Sequence, residues 1–410
     1  MMTGDTPAAR HETAIGENFP AELERTLLEL RWEVHEDPEL SFQEYRTARR
    51  LEAALAGLGI ADVRRVGDTG VLARVPGRDL SAPVVAIRGD IDALPIEERT
   101  GLPQASSVPG VMHACGHDVH ATWAVGAAAL LLANPAAGDV VIILQPGEEQ
   151  GNGALKMIEG GALDGVKMIF GGHVDRRFAV GQVVADVGPL AASTDSFQVV
   201  INGRGAHAAR PHESLDPIVG AAAVVTALQQ VVSRHLNPAD AGVVTVGMIN
   251  AGSAPNIIPE SATLRGTLRA IQPATRKLLR TEFVRVVDGV CAAHGLTPTI
   301  TFDDGTPPVI NEERSVAHAR TAVTNLLGAE ALVPLGILNL AGEDFAHYLE
   351  RVPGCFLRIG AREAGGAVIP AHSPLFHAAD ESVLVGAAVL AESARLASAE
   401  LAAAGEGRAG

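Results

Sequence analysis

The sequence predicts an α/β protein: a larger domain with a largely parallel sheet flanked by helices, interrupted by a smaller α+β domain. Three observations lead there. The chain has 410 residues, more than one core usually holds, which suggests two domains. Short apolar runs, continuous rather than alternating, are separated by helix-patterned stretches, as in sheets covered on both faces. Between residues 188 and 303 the pattern changes to β-α-β-β-α-β, the ferredoxin-like order.

Residues 1–18 read as a disordered tail. A helix follows from about Pro20 to His35 and stops before Pro38, because the residue preceding proline avoids helical geometry. The next helix covers about Gln43 to Leu58 and is closed by Gly59. Val71–Val75 and Val84–Arg88 are predicted strands, Asp118–Ala133 a buried helix, Val140–Leu144 a strand, Gly153–Gly160 a helix and Val166–Phe170 a strand. In the inserted part, Phe197, Val199 and Ile201 alternate as in a half-buried strand. A helix over Pro217–His235, strands Val243–Asn250 and Ala262–Ala270, a helix over Pro273–His294 and a strand Thr297–Phe302 complete it. Then come a helix Ser315–Leu327, a strand Cys355–Ile359 and a helix from about Asp380 to Ala404. The larger domain thus comprises residues 1–187 and 304–410, and the insertion residues 188–303.

Composition limits the function. The net charge of −16 argues against a nucleic-acid partner, since phosphate binding needs clustered Lys and Arg. Three cysteines, Cys115, Cys291 and Cys355, give no disulfide framework and point to a reducing compartment. The first 24 residues lack the apolar core of a signal peptide, and the apolar run Ala121–Ala133 is too short to span a bilayer. A cytoplasmic protein without a membrane partner is expected.

Ligand-type residues gather in five places: Asp90-Ile91-Asp92, His113 to His120, Glu148-Glu149, Gly172-His173-Val174-Asp175, and His372-Ser373-Pro374. Most follow the carboxyl ends of predicted parallel strands, the edge at which sites collect in open α/β sheets. Thiolate, imidazole and carboxylate together suit a first-row divalent metal such as zinc, manganese, cobalt or nickel. Adjacent carboxylates allow one to bind metal and the other to hold a water as general base. Singly, each has a plainer reading: Cys115 as a small buried hydrophobe, Glu148-Glu149 as a cap or solvated pair, His117, His173 and His372 as structural or exposed histidines. Their shared placement makes those readings hard to keep together. Gly151-Asn152-Gly153 is too short for a phosphate loop and reads as a turn.

The stretches RWEVHEDPELSFQE, AIRGDIDALPIEE, MHACGHDVH, LQPGEE, GGHVD, GAHAARPHESLDPI, APNIIPESATLRGTLR, AGEDFAHYLERVPG and HSPLFH occur in this order. Over about residues 25–395 the chain resembles the M20 metallopeptidase family in its amidohydrolase branch, which includes hippurate hydrolases, aminoacylases and auxin-conjugate hydrolases. The resemblance implies a catalytic α/β domain and an inserted lid that also dimerises. By motif match it implies that Cys115 bridges two divalent ions, with His117 and His173 completing one site and Glu149 and His372 the other. Glu148 would be the general base and Asp92 the carboxylate that orients the ligands. His207 would approach the active site across the dimer, and Asn256 and Arg269 would bind the substrate's carboxylate.

Three departures stand out. Gly147 replaces a frequent alanine, Leu340-Ala341 replaces Gly or Ser, and Asp175-Arg176-Arg177 stands where relatives commonly carry a proline, which touches on substrate choice at the pocket rim. The implied reaction is hydrolysis of an N-acyl amino acid to a carboxylic acid and a free amino acid. A metallodipeptidase or carboxypeptidase of the same family is the alternative. Two further classes stay open: a thiol hydrolase with Cys115 as nucleophile and His117 or His113 as base, and a non-catalytic small-molecule binder. The Glu-Glu pair counts against both.

Overall fold

The computed structural model describes Ile15 and residues 19–338 and 340–406. The tail expected over residues 1–18 falls outside these, except Ile15, which is buried in the core of the first unit.

In chain order the principal elements are α1 (Ala21–Glu36), α2 (Tyr45–Gly57), β1 (Asp62–Val66), β2 (Gly70–Val75), β3 (Val84–Asp90), α3 (His117–Ala133), β4 (Val140–Gln145), α4 (Gly153–Glu159), β5 (Val166–Ala179) and β6 (Val183–Val184). They continue with β7 (Ser193–Asn202), α5 (Pro217–Gln230), β8 (Gly242–Ala251), β9 (Ser261–Ala270), α6 (Pro273–Ala293), β10 (Thr297–Asp303), α7 (Glu313–Leu327), β11 (Gly354–Arg362) and α8 (Glu381–Glu406). The described residues divide into two compact units, within Met1–Gly188, Ile310–Ile337 and His347–Gly410 for the first and within Pro189–Val309 and Leu338–Ala346 for the second.

The first unit is built on a seven-stranded sheet in the order β1-β2-β4-β3-β5-β11-β6. Its four central strands, β4, β3, β5 and β11, run parallel, as the sequence predicts, and the antiparallel edges β1, β2 and β6 make the sheet as a whole mixed. The reason is connection length: β1 and β2 are joined too closely for the crossover that a parallel pair needs. A correction concerns β5. It does not stop at Phe170 but pairs with β11 well beyond it, so that Arg358 lies opposite His173. His173 is therefore inside a strand, not in the loop after it.

The central strands are buried on both faces, which explains their continuous apolar runs. The core joins them to α3, whose residues from His117 to Leu131 are all buried, and to α8. Part of Glu381–Ala404 is long and apolar enough to cross a membrane by composition, yet 78% of that window is buried inside the protein. Its apolar face is already covered.

The second unit carries a four-stranded antiparallel sheet in the order β8-β9-β7-β10 with α5 and α6 packed on it. The element order is β-α-β-β-α-β. Phe197, Val199, Ile201, Leu264, Phe283 and Val287 form its own core.

Candidate active site

The chain passes from β3 to its neighbour β4 and then from β4 back across β3 to β5 on the other side, so a crevice is expected at their carboxyl ends. The predicted ligands of the first unit meet there. Cys115 and His117 flank Gly116, whose φ of +87° no ordinary side chain adopts easily. A Cβ on Gly116 would meet Val174 Cγ2 at 2.3 Å. Glycine thus lets the start of α3 press against β5 and brings Cys115 Sγ within 3.2 Å of His173 Nε2.

Two groups of ligand atoms form around the sulfur: Cys115, His117 and His173 in one, Cys115, Glu149 and His372 in the other, each with its atoms within 4.8 Å of one another. Both histidines of the first group have a set tautomer. His117 Nδ1 donates to Asp92 Oδ1 at 3.1 Å, and His173 Nδ1 donates to the Val174 carbonyl at 2.7 Å. Each turns its Nε2 inward, the atom left to a metal when Nδ1 is held in this way. His117 Nε2 is buried and has no hydrogen-bond partner, and Glu149 Oε1, 3.2 Å from His372 Nε2, makes no well-oriented hydrogen bond either. Orphaned acceptors around a buried thiol are costly unless a cation takes them up. The donor set fits two divalent ions sharing Cys115.

Without a metal, the electrostatics keep on Cys115 and His117 the protons that a bound cation would displace. Burial pushes the Cys115 thiol well above its usual value, and Glu149 and Glu148 add to that against the pull of His117. Burial works against a charged His117, but the Asp90 charge and the Asp92 hydrogen bond outweigh it and raise the imidazole. Burial depresses His173, with His120 and Arg358 adding to the effect.

Asp92 is the organising side chain. Its Oδ1 accepts from His117 Nδ1 and from the Glu148 amide, and its Oδ2 from Ser41 Oγ and the Glu149 amide, all at 2.7–3.1 Å. One carboxylate thus fixes a histidine and both glutamates. Three supporting residues carry no role in the sequence analysis. Asp90 lies 2.6 Å from His120 Nδ1, and His120 Nε2 accepts from the Val174 amide at 2.9 Å, so this pair braces the strand beside His173. Ser41 is the third. Asp90 and Asp92 sit two apart, the spacing that shares a strand face; Ser41 gives no such signal.

The Glu148-Glu149 turn is seated from behind. Glu44 Oε1 accepts from the Gly147 amide at 3.0 Å, and burial pushes this carboxyl up to about 7. Gly147 has φ +64°, and a Cβ there would meet the Phe42 ring at 2.3 Å, with Lys156 Nζ on that ring, 3.8 Å from its centroid. This accounts for glycine where alanine is frequent. Gly147→Ala is expected to destabilise the protein by about 1–3 kcal/mol, and Phe42→Ala in the same chain to recover the steric part. Denaturant unfolding of the single and double variants checks it; additive losses would mean that the ring does not set this constraint.

His207, Asn256 and Arg269 belong to the second unit. His207 lies on a short strand pair opposite Ile257, and Asn256 accepts from the Ala208 amide through its carbonyl, so these two are neighbours. His207 Nδ1 accepts from the Ala209 amide at 3.1 Å, which leaves Nε2–H as a donor. Arg269 is on β9, half-buried, and its side chain makes no hydrogen bond or salt bridge among the described residues. Arg177, by contrast, is tied to Asp175 through both carboxylate oxygens, and Arg176 is buried. Neither offers a free cation at a pocket rim.

Comparison with known proteins completes the picture. The model of peptidase family M20/M25/M40 matches residues 86–396. An N-acetyl-L-cysteine deacetylase of Bacillus subtilis (strain 168) is 40% identical over 375 residues, 91% of this chain and 88% of that protein. The IAA-amino acid hydrolase ILR1-like 2 of Arabidopsis thaliana is 37% identical over 374 residues, 90% of this chain and 84% of that one. The crystal structure of the Bacillus subtilis YXEP protein, a dinuclear metal-binding peptidase of the M20 family, aligns with a TM-score of 0.82 at 35% identity, covering 92% of this chain and 99% of that chain.

Proposed function

This chain belongs to peptidase family M20/M25/M40, is a metal-dependent hydrolase of amide bonds, and from that premise we propose that it cleaves N-acyl amino acids, with Glu148 as general base. The observation that carries the proposal is the pair of ligand groups sharing Cys115 with Glu148 beside them. Cys115, His117 and His173 hold one divalent ion and Cys115, Glu149 and His372 the other, the ions being zinc, manganese, cobalt or nickel. When bound, two such ions polarise the amide carbonyl and lower the pKa of a water.

The chain's own residues do the rest. Glu148, its amide held by Asp92, takes the water proton on its carboxylate and returns it to the departing amine. His207, with Nε2–H free to donate, stabilises the developing oxyanion. Arg269 and Asn256 hold the substrate's carboxylate, a task suited to a guanidinium without another partner. A nucleophilic Cys115 is disfavoured because its burial opposes the thiolate.

The residues of the second unit are read as a lid through which two chains associate. Edge strand β8 exposes Met248 and Ile249, and α5 exposes Ile218 and Val219, apolar surface of the kind that interfaces cover. Three free, buried cysteines agree with a reducing cytoplasm, which cell fractionation would check.

The test is hydrolysis of N-acetyl, N-benzoyl and indole-acyl amino acids, their carboxamide analogues and dipeptides, before and after chelation and with Mn²⁺, Zn²⁺ or Co²⁺ restored. Turnover is expected on N-acyl amino acids, lost to chelator and regained with metal. Preference for dipeptides would move the assignment to a peptidase, and chelator-resistant turnover would restore the thiol reading. Carboxamides turned over as well as the acids would remove Arg269 and Asn256 from carboxylate binding. Sedimentation of the same sample should show a dimer; a monomer at tens of micromolar would remove the lid interface.

A further inference from the structure

We propose that Arg176 is a positioning residue for the metal centre: its buried guanidinium holds both ends of the segment that carries His372. The proposal rests on His372 as a ligand, as argued above.

His372 is the weakly supported member of the group. It lies between β11 and α8, with no helix or strand from Glu363 to Asp380. It is exposed, and its φ is +65°, a left-handed conformation that a residue other than glycine keeps only when its surroundings impose it. Its amide donates to the Ala114 carbonyl at 2.8 Å, which ties it to the Cys115 loop, and two residues on the Pro374 carbonyl accepts from the Arg99 amide at 2.8 Å.

A further restraint comes from Arg176. Its side chain is 1% exposed. One terminal nitrogen donates to Glu363 Oε2 at 2.7 Å and to the His377 carbonyl at 2.8 Å; the other donates to Glu363 Oε1 at 3.0 Å and to the Ala367 carbonyl at 2.9 Å. Glu363 and Ala367 precede His372, and His377 follows it. The planar fork therefore fixes entry and exit together, which lysine's single ammonium could not do. Arg176 is also anchored in turn, since β5 places it on a strand and Arg362 Nε donates to its carbonyl at 3.1 Å.

The test loads the unchanged chain, Arg176→Met, Glu363→Gln and His372→Ala with Co²⁺ and measures ions per chain, the visible absorption of the bound cobalt, and affinity by competition with a chelator. His372→Ala is expected to weaken one ion selectively. Arg176→Met should weaken that same ion about 10-fold, with the same change in absorption, and Glu363→Gln should do so less, because the carbonyl acceptors remain. Unchanged affinity in both clamp variants, or equal loss of both ions, would overturn the proposal. Should Arg176→Met not fold, Glu363→Gln decides alone. Two ions held normally by His372→Ala would instead sink the ligand assignment and leave the clamp without an object.

Discussion

Glu148→Gln is expected to lower kcat by about 10²–10⁴-fold while the protein keeps two ions per chain. The amide is close in size to the carboxylate, so the turn on which it sits should not change: the Glu148 backbone amide still donates to Asp92 Oδ1 and the Glu149 amide to Oδ2. What is lost is the ability to accept a proton. Glu149, one residue on, cannot substitute, because its Oε1 faces His372 within the ligand group. Steady-state kinetics with metal analysis of the same sample separate the two effects. A variant that loses metal in proportion to activity would show Glu148 to be a ligand, and one that keeps its turnover would end its role as base.

Asp92→Asn is expected to cost about 3–5 kcal/mol of stability in the metal-free protein and to weaken metal binding with it. The carboxylate is fully buried and accepts from four donors, two on each oxygen. Asparagine brings one oxygen and one NH₂ group. Turned toward His117 and the Glu148 amide, that NH₂ faces two donors; turned the other way, it faces the Glu149 amide and Ser41. The Ser41 hydroxyl can rotate and His117 can change tautomer to accept, but the Glu148 and Glu149 amides cannot, so a backbone N–H is left unpaired in either orientation. The charge that favours His117 is removed as well. Chemical denaturation in the presence of chelator reads the stability, and cobalt titration reads the binding. A change under about 0.5 kcal/mol would show that the four bonds are replaceable.

Much of this was legible in the sequence because the information was periodic or local. The α/β class followed from runs such as Val140–Leu144, which are apolar at every position because β4 is covered on both sides. Cys115, His117, Glu149, His173 and His372, which the motifs single out, come together in two groups that share the Cys115 sulfur. What was not legible depends on pairing at a distance. Nothing in Val166–Phe170 says that β5 continues to Ala179, since the extension is held by β11, nearly two hundred positions later. Arg176 looks like a surface cation until Glu363 and two carbonyls close around it. The sequence marks a helix near the C-terminus but not that α3 and α7 pack against it.

The strand order also bears on how the chain is made. During synthesis β5 emerges early, but its neighbour β11 comes only after the whole inserted unit has left the ribosome, and α8 later still. Until then β5 presents an unpaired apolar edge, the kind of surface that nascent chains join by mistake. The insertion, whose main body is contiguous from Pro189 to Val309, can form its own core meanwhile. The cluster that includes His372 is therefore among the last parts of the molecule to be assembled; under the proposed assignment, an unfinished chain lacking His372 would have no complete set of ligands for a metal.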